Sequence, residues 1–420
     1  LNSEVHIQTL ANGLTVIVEE MPHVESAAYD LLIPGGIIYD NPETVGASLI
    51  LAELTSRGAG NLDARQLMEQ FDDLGVRHGE SAGHDRYYYH GGLIADTLAE
   101  SLKLVALMVK SPSFPADEID PIRSVFLQDI ASIGDNPSRR AMMELSQRYY
   151  PSPYNRPSTG TVEGLTAVNQ QLLKSLWSQA FRPQGAILSI AGNVSASAVV
   201  SQAEELFSDW QGIAPAAPDF GLVTPATVHH IEHESSQLQI VLAYPSAKFG
   251  DEDYYVAKVV AGILSGGMFG RLFIEVREKR GLVYSVYARH SATNLYGTMT
   301  VYAGTTPERA QETLDVTLHE LNNIIGTVTE EELLRAKANI KAAVIMGDES
   351  SSSRASSSAA DYWLIRRVRS LEEIQQGIDR VTAADIDQFV KRYPPQHYSL
   401  LTLGSRSLAE PGLRSLSGVK

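Results

Sequence analysis

The chain contains no cysteine. Disulfides, thiolate-bound zinc and iron–sulfur clusters are therefore excluded, and any metal would have to rest on His, Asp or Glu. No apolar run approaches the roughly 18–20 residues of a membrane span. No compact Lys/Arg run is present either, and a formal charge of −16 repels phosphate backbones and anionic lipid, so nucleic acid is not an expected partner. A G-x-S-x-G elbow is missing, which together with the lack of cysteine leaves no recognisable nucleophile constellation for covalent catalysis. The glycines at 262–270 lack the Gly-Lys-Ser/Thr ending and the preceding strand of a phosphate-binding loop. The first residues, LNSEVHIQTL, show no basic segment followed by an apolar one. Cytoplasm is the expected compartment, with periplasm the alternative if a signal peptide has been removed.

What is present is the composition of a folded chain: 420 residues, 44% apolar and 20% charged, long enough for two domains. The two halves end alike. LTAVNQQLLKSLWSQAFRPQGAILSIAGNVS (165–195) and VTAADIDQFVKRYPPQHYSLLTLGSRS (381–407) both run cap, amphipathic helix, aromatic, proline, strand and glycine turn. Thr166 and Thr382 are the expected helix caps, and Gly192 and Gly404 close the strands. GDNPSRRAMMEL (134–145) and GDESSSSRASSSAADYW (347–363) are both helix breaks followed by a new helix start. Between the halves, GIAPAAPDFGLVTP (212–225) has the composition of a linker. The chain divides into residues 1–216 and 217–420.

In the first half an Asn12-Gly13 hairpin signal joins VHIQTL to TVIVEE. Then come the strand AAYDLLIP, helices near 44–57 and 64–74, a strand pair (79–84 and 87–93) and helices near 96–110 and 117–133. The second half repeats the plan with QIVLAYP, a helix near 255–264, SVYARH and TMTVYAG, then helices near 307–325 and 330–346. Adjoining strands with helices in blocks between them predict an α+β fold: two homologous tandem domains, each an antiparallel-rich sheet with helices on one face. Tyr87, Tyr88 and Tyr89 are expected to alternate across a sheet. The serine-rich ESSSSRASSS (349–358) reads as a helix boundary, with Arg354 reaching the sheet.

The segment SGGMFGRLFIEVREKRGLVYSVYA (265–288) resembles the C-terminal-half signature of the pitrilysin/insulinase (inverzincin) zinc peptidases, in particular their short-chain, processing-peptidase-like branch. NGLTVIVEE, GDNP and the AGN strand end extend the resemblance over nearly the whole chain. Active members carry H-x-x-E-H on a helix of the N-terminal half, with two His as zinc ligands, the Glu as general base and a further Glu downstream as third ligand. The stretch that matches here is VGASLILAELTSRG (45–58), whose motif positions read Leu49, Ile50, Leu51, Ala52 and Glu53. The distal ligand position is Asp129, and the accessory glutamate position is Ile122. With no imidazole at these places, this chain is expected to bind no cofactor and its motif helix to be packed core.

His229-His230-Ile231-Glu232-His233 matches H-x-x-E-H as a string, but the repeat puts it on a strand. There His229 and His233 stand about 13 Å apart, too far to share one zinc. Adventitious metal binding at His229, His230 or His233 is left open.

In the family an Arg and a Tyr seven residues apart in the C-terminal half reach the substrate. The matching residues are Arg277 and Tyr284, for which the local alternative is Arg277 paired with Glu275 or Glu278 and Tyr284 filling the sheet. The resemblance implies a non-catalytic, substrate-binding subunit of a heterodimeric zinc metalloendopeptidase acting on peptides or unfolded polypeptide. Zinc is then expected on a homologous partner that carries H-x-x-E-H. A structural subunit, like the core proteins of respiratory complexes, is the alternative.

Overall fold

The computed structural model describes residues 4–223 and 227–409. Strands β1 (Val5–Thr9), β2 (Thr15–Glu20), β3 (Ser26–Pro34), β4 (Gly58–Ala59), β5 (Leu62–Asp63), β6 (Arg77–Ala82), β7 (Arg86–Ile94) and β8 (Ile187–Gly192) belong to the first of two units. Apart from the small β4–β5 ladder they form one sheet in the order β1-β2-β8-β3-β7-β6, in which only the β2–β8 pairing is parallel. The second unit holds β9 (Val228–Glu232), β10 (Leu238–Pro245), β11 (Val283–Ala292), β12 (Gly297–Thr305) and β13 (Ser399–Gly404), in the order β11-β12-β10-β13-β9. Here only β9–β13 is parallel. Reading β9, β13, β10, β12 and β11 against β2, β8, β3, β7 and β6 gives the same neighbours and the same directions, so the repeat seen in the sequence is a repeat of topology.

Each sheet is covered on both faces, not on one. In the first unit Val16, Val18, Leu31, Ile33, Leu188 and Ile190 pack under the main helical layer. The opposite face buries Ile17, Leu32, Ile187 and Ala28 beneath Ala355 and Ala359 of the helix Ser351–Ile365. In the second unit Val241, Ala243, Leu401 and Leu403 lie against Ala141, Leu145 and Tyr149 of the helix Pro137–Tyr149. Strands buried on both sides lose the apolar/polar alternation of a half-exposed strand, and β3 (SAAYDLLIP) and β10 (LQIVLAYP) are apolar almost throughout.

These two covering helices are exchanged between the halves of the sequence. The first unit takes the described residues up to Ser132, Ser152–Phe220 and Met346–Arg369; the second takes Ile133–Pro151, the described residues of Gly221–Ile345 and those from Ser370 onward. A single cut near residue 217 therefore divides the repeat but not the packed bodies. The linker is without helix or strand from Gly212 to Val223, and Thr224 and Pro225 lie outside the described residues.

Local signals explain the element ends. Asn136 caps the helix that Pro137 opens, and Ser350 caps the helix Ser351–Ile365. Thr382 forms a capping box with Asp385. Thr166 does not play the matching part in the first half. Its hydroxyl donates to Val162 inside a preceding short helix, and Asn169 caps the helix Gln170–Ala180 instead.

Candidate functional site

The helix Ala47–Leu54 carries the five positions of the zinc motif. Its start is held by the buried carboxylate of Asp40, which accepts from Gly46 N at 2.8 Å and from Ser48 N and Oγ at 3.2 and 2.5 Å. Burial pushes the Asp40 carboxyl up to about 6 against the pull of those donors. Tyr87 and Tyr89 point inward from β7 and bond Ser48 and Thr55, while Tyr88 takes the other face, so the three tyrosines alternate as the sequence implied.

Leu49, Ile50, Leu51 and Ala52 are all buried. Leu49 sits where the first imidazole would be, and it packs with Ile37 and Val45 against Phe126. Phe126 lies on the helix Ile119–Ile133 between Ile122, buried in the main core, and Asp129, one turn further on. Glu53, at the last motif position, is engaged by Arg57. The face that would hold a metal is thus hydrocarbon packed against hydrocarbon, and the residues do not fit zinc. Among the described residues no group of three His, Asp or Glu is placed to hold an ion.

The string His229–His233 falls on β9 and the residue after it. The ring of His230 bonds Thr402 across the parallel pairing at 2.9 Å, and His233 N donates to Gly404. In an extended strand the histidines cannot converge as they would on one face of a helix.

Arg277 and Tyr284 are brought together by two backbone irregularities. Residues Phe273–Glu278 form a π-helical turn, which widens the backbone by one residue where Arg277 emerges. The β11–β12 register slips between Val283 and Ser285, so Tyr284 is the bulged residue, and its side chain is 82% exposed. Bulges re-aim side chains that regular pairing would turn into the sheet. The Arg277 guanidinium lies 5.5 Å from the Tyr284 ring centroid and 5.0 Å from that of Phe273. Glu275 is bound by Lys279 and Arg280, which depress its pKa, and not by Arg277, and Tyr284 is exposed instead of filling the sheet. The arrangement presents five guanidinium donors and one phenolic hydroxyl to solvent, a set suited to peptide carbonyl oxygens.

Sequence reasoning missed the Asp40 cap and the helix exchange. Neither has a sequence signal, because both rest on contacts that only the folded chain makes.

Residues 15–162 match the model of the insulinase family, peptidase family M16, and residues 167–340 match that of the peptidase M16 inactive domain. A Rickettsia felis protein described as an uncharacterized zinc protease is 28% identical over 393 residues, covering 92% of this chain and 94% of its own. The fold is similar to that of a peptidase M16 inactive domain from Pseudomonas fluorescens (TM-score 0.85, 24% identity, 97% and 99% of the two chains). It is also similar to that of a chain in Complex III2 from Candida albicans (TM-score 0.82, 18% identity, 96% and 96%).

Proposed function

This chain belongs to peptidase family M16, the insulinase/pitrilysin zinc peptidases, and from that premise we propose that it is the non-catalytic, substrate-binding subunit of a heterodimeric metalloendopeptidase. The observation that carries the reading is a contrast within one chain. The metal-binding positions are filled by buried Leu49, Ile50, Leu51 and Ala52, while Arg277 and Tyr284 stand exposed on a π-turn and a bulge. Zinc and the general base belong to a homologous H-x-x-E-H chain, and no step is assigned to a metal held here. Arg277 donates two N–H groups to a backbone carbonyl of an extended peptide. Tyr284 donates its hydroxyl to the oxygen on which negative charge develops during attack on the scissile bond.

The test is turnover of the assembled pair with Arg277→Ala and Tyr284→Phe in this chain. Loss of an oxyanion donor costs about 10²–10³ in kcat, and that loss is expected for Tyr284→Phe with zinc content unchanged. The second reading, a structural assembly subunit, is favoured only by the fold it shares with the chain of Complex III2. It requires both variants to leave turnover untouched.

A further inference from the structure

Phe273 and Arg277 stand one helical turn apart on the segment Phe273–Glu278, the spacing at which side chains on a helix meet. That turn is fastened to the body of the second unit. Leu272 and Val276 are fully buried in its core. Arg271 donates to both carboxylate oxygens of Glu332, at 2.7 and 2.8 Å, and to Thr327 Oγ1 at 2.8 Å. The backbone that carries Phe273 is therefore fixed, and Phe273 is half-buried on it.

The arginines around the turn are held in two different ways. Arg271 uses its donors on Glu332 and Thr327, Arg280 on the side chain and carbonyl of Glu275, and Arg309 on the carbonyl of Gly281. Arg277 makes no hydrogen bond or ion pair with any described residue. Its guanidinium carbon lies over the rings of Phe273 and Tyr284 instead, 5.0 and 5.5 Å from their centroids. Glu275, two residues before it, is already taken by Lys279 at 2.6 Å and Arg280 at 2.9 Å.

The two ways differ in what they leave free. A guanidinium carries its five N–H groups in its own plane, and an ion pair occupies some of them. An aromatic ring against the face attracts the charge through its quadrupole and occupies none. A long side chain loses much rotamer freedom when a ligand fixes it. A neighbour that orders Arg277 beforehand, without taking its donors, removes part of that loss from the binding step. Tyr284 is 82% exposed and belongs to the proposed substrate contact itself, so Phe273, half-buried on a braced turn, is the fixed side of the stack.

We propose that Phe273 is the positioning residue of Arg277: its ring holds the guanidinium in place while leaving all five N–H groups to peptide carbonyl oxygens. This rests on the reading of Arg277 as a substrate contact, and adds that the contact is made ready before a peptide arrives. A residue that orders Arg277 equally for bound substrate and transition state changes KM and leaves kcat alone.

The experiment has two arms. In the first, NMR of the isolated full chain with isotope-labelled arginine follows the Arg277 Cδ protons, identified as the signal missing from Arg277→Lys. Protons over a ring face resonate upfield of those of a free arginine. Phe273→Leu, which keeps apolar bulk without a π face, should remove at least half of that displacement, and Phe273→Tyr should retain it. The Arg271 signal, unmoved in both variants, reports an intact turn. In the second arm, turnover of the assembled pair should show KM raised about two- to fivefold by Phe273→Leu, the strength of one exposed cation–π contact. Unchanged kcat, recovery in Phe273→Tyr and no further effect of Phe273→Leu once Arg277→Ala is present complete the expected pattern. An Arg277 signal unmoved by Phe273→Leu, or a KM change that persists with Arg277 removed, would overturn the assignment. A signal that moves as expected, together with turnover indifferent to Arg277→Ala, would uphold the stack and refute the proposed function instead.

Discussion

Replacing Arg354 should destabilise the first unit more than any surface ion pair can. Arg354 Nε lies 2.9 Å from both carboxylate oxygens of Glu19, its Nη2 lies 2.7 Å from Glu19 Oε2, and its Nη1 bonds Asp348. Both members of the pair are buried, with side-chain exposures of 9% and 2%. The bond fastens the exchanged helix Ser351–Ile365 to β2, across more than three hundred residues of sequence. Arg354→Met removes the guanidinium and leaves the Glu19 carboxylate buried without its principal partner. Breaking one side of a buried pair costs about 3–5 kcal/mol, equivalent to a fall in Tm of roughly 6–20 °C for a unit of this size. Glu19→Met should cost less, because Arg354 keeps its bond to Asp348. The double variant should be markedly more stable than Arg354→Met, because the Glu19 carboxylate is then no longer buried without its principal partner. Urea denaturation, followed by tryptophan fluorescence and circular dichroism to separate the two units, gives the three values. A cost below about 1 kcal/mol for Arg354→Met, the size of an exposed pair, or a double variant no better than Arg354→Met, would refute the reasoning.

Two further predictions concern the motif helix. Asp40 titrates near 6 in the folded chain against an ordinary value of 3.8, so the folded state holds this proton more tightly than the unfolded state. Its contribution to stability is therefore greatest at acid pH and declines as pH rises from about 4 through 6. Asp40→Asn should flatten that decline in denaturation midpoints taken across this window, and an unchanged slope would contradict the assignment. Leu49→His places an imidazole among Ile37, Val45 and Phe126. It should cost about 1–3 kcal/mol for burying an unpaired polar group and leave metal analysis blank; stoichiometric zinc in the variant would show that the place is a metal site after all.

Much of the fold could be read from residue patterns. The Asn12-Gly13 turn, the apolar alternations and the shared ending of the halves place nearly every strand within a residue or two, and the topology repeats as the sequence does. The hydrocarbon at the motif positions was equally legible, since Leu49 and Ala52 stand where His and Glu would be. What could not be read was which helix covers which sheet. The serine-rich run that opens the helix Ser351–Ile365 marks a helix start, but nothing in it states that Ala355 and Ala359 bury against strands of the other half. The doubly apolar strands β3 and β10 did carry the information that both faces are covered, though not by what. The site is similarly divided. The spacing of Arg277 and Tyr284 is a matter of sequence, whereas the π-turn and the bulge that expose them are departures from regular backbone geometry that no periodicity announces.

Alone, this chain should perform no hydrolysis. Zinc content and peptide turnover should be measured for the isolated chain, then for an equimolar mixture with a homologous chain carrying H-x-x-E-H. No bound zinc and no turnover are expected for the chain alone, with both appearing in the mixture. Stoichiometric zinc and turnover in the isolated chain would contradict it.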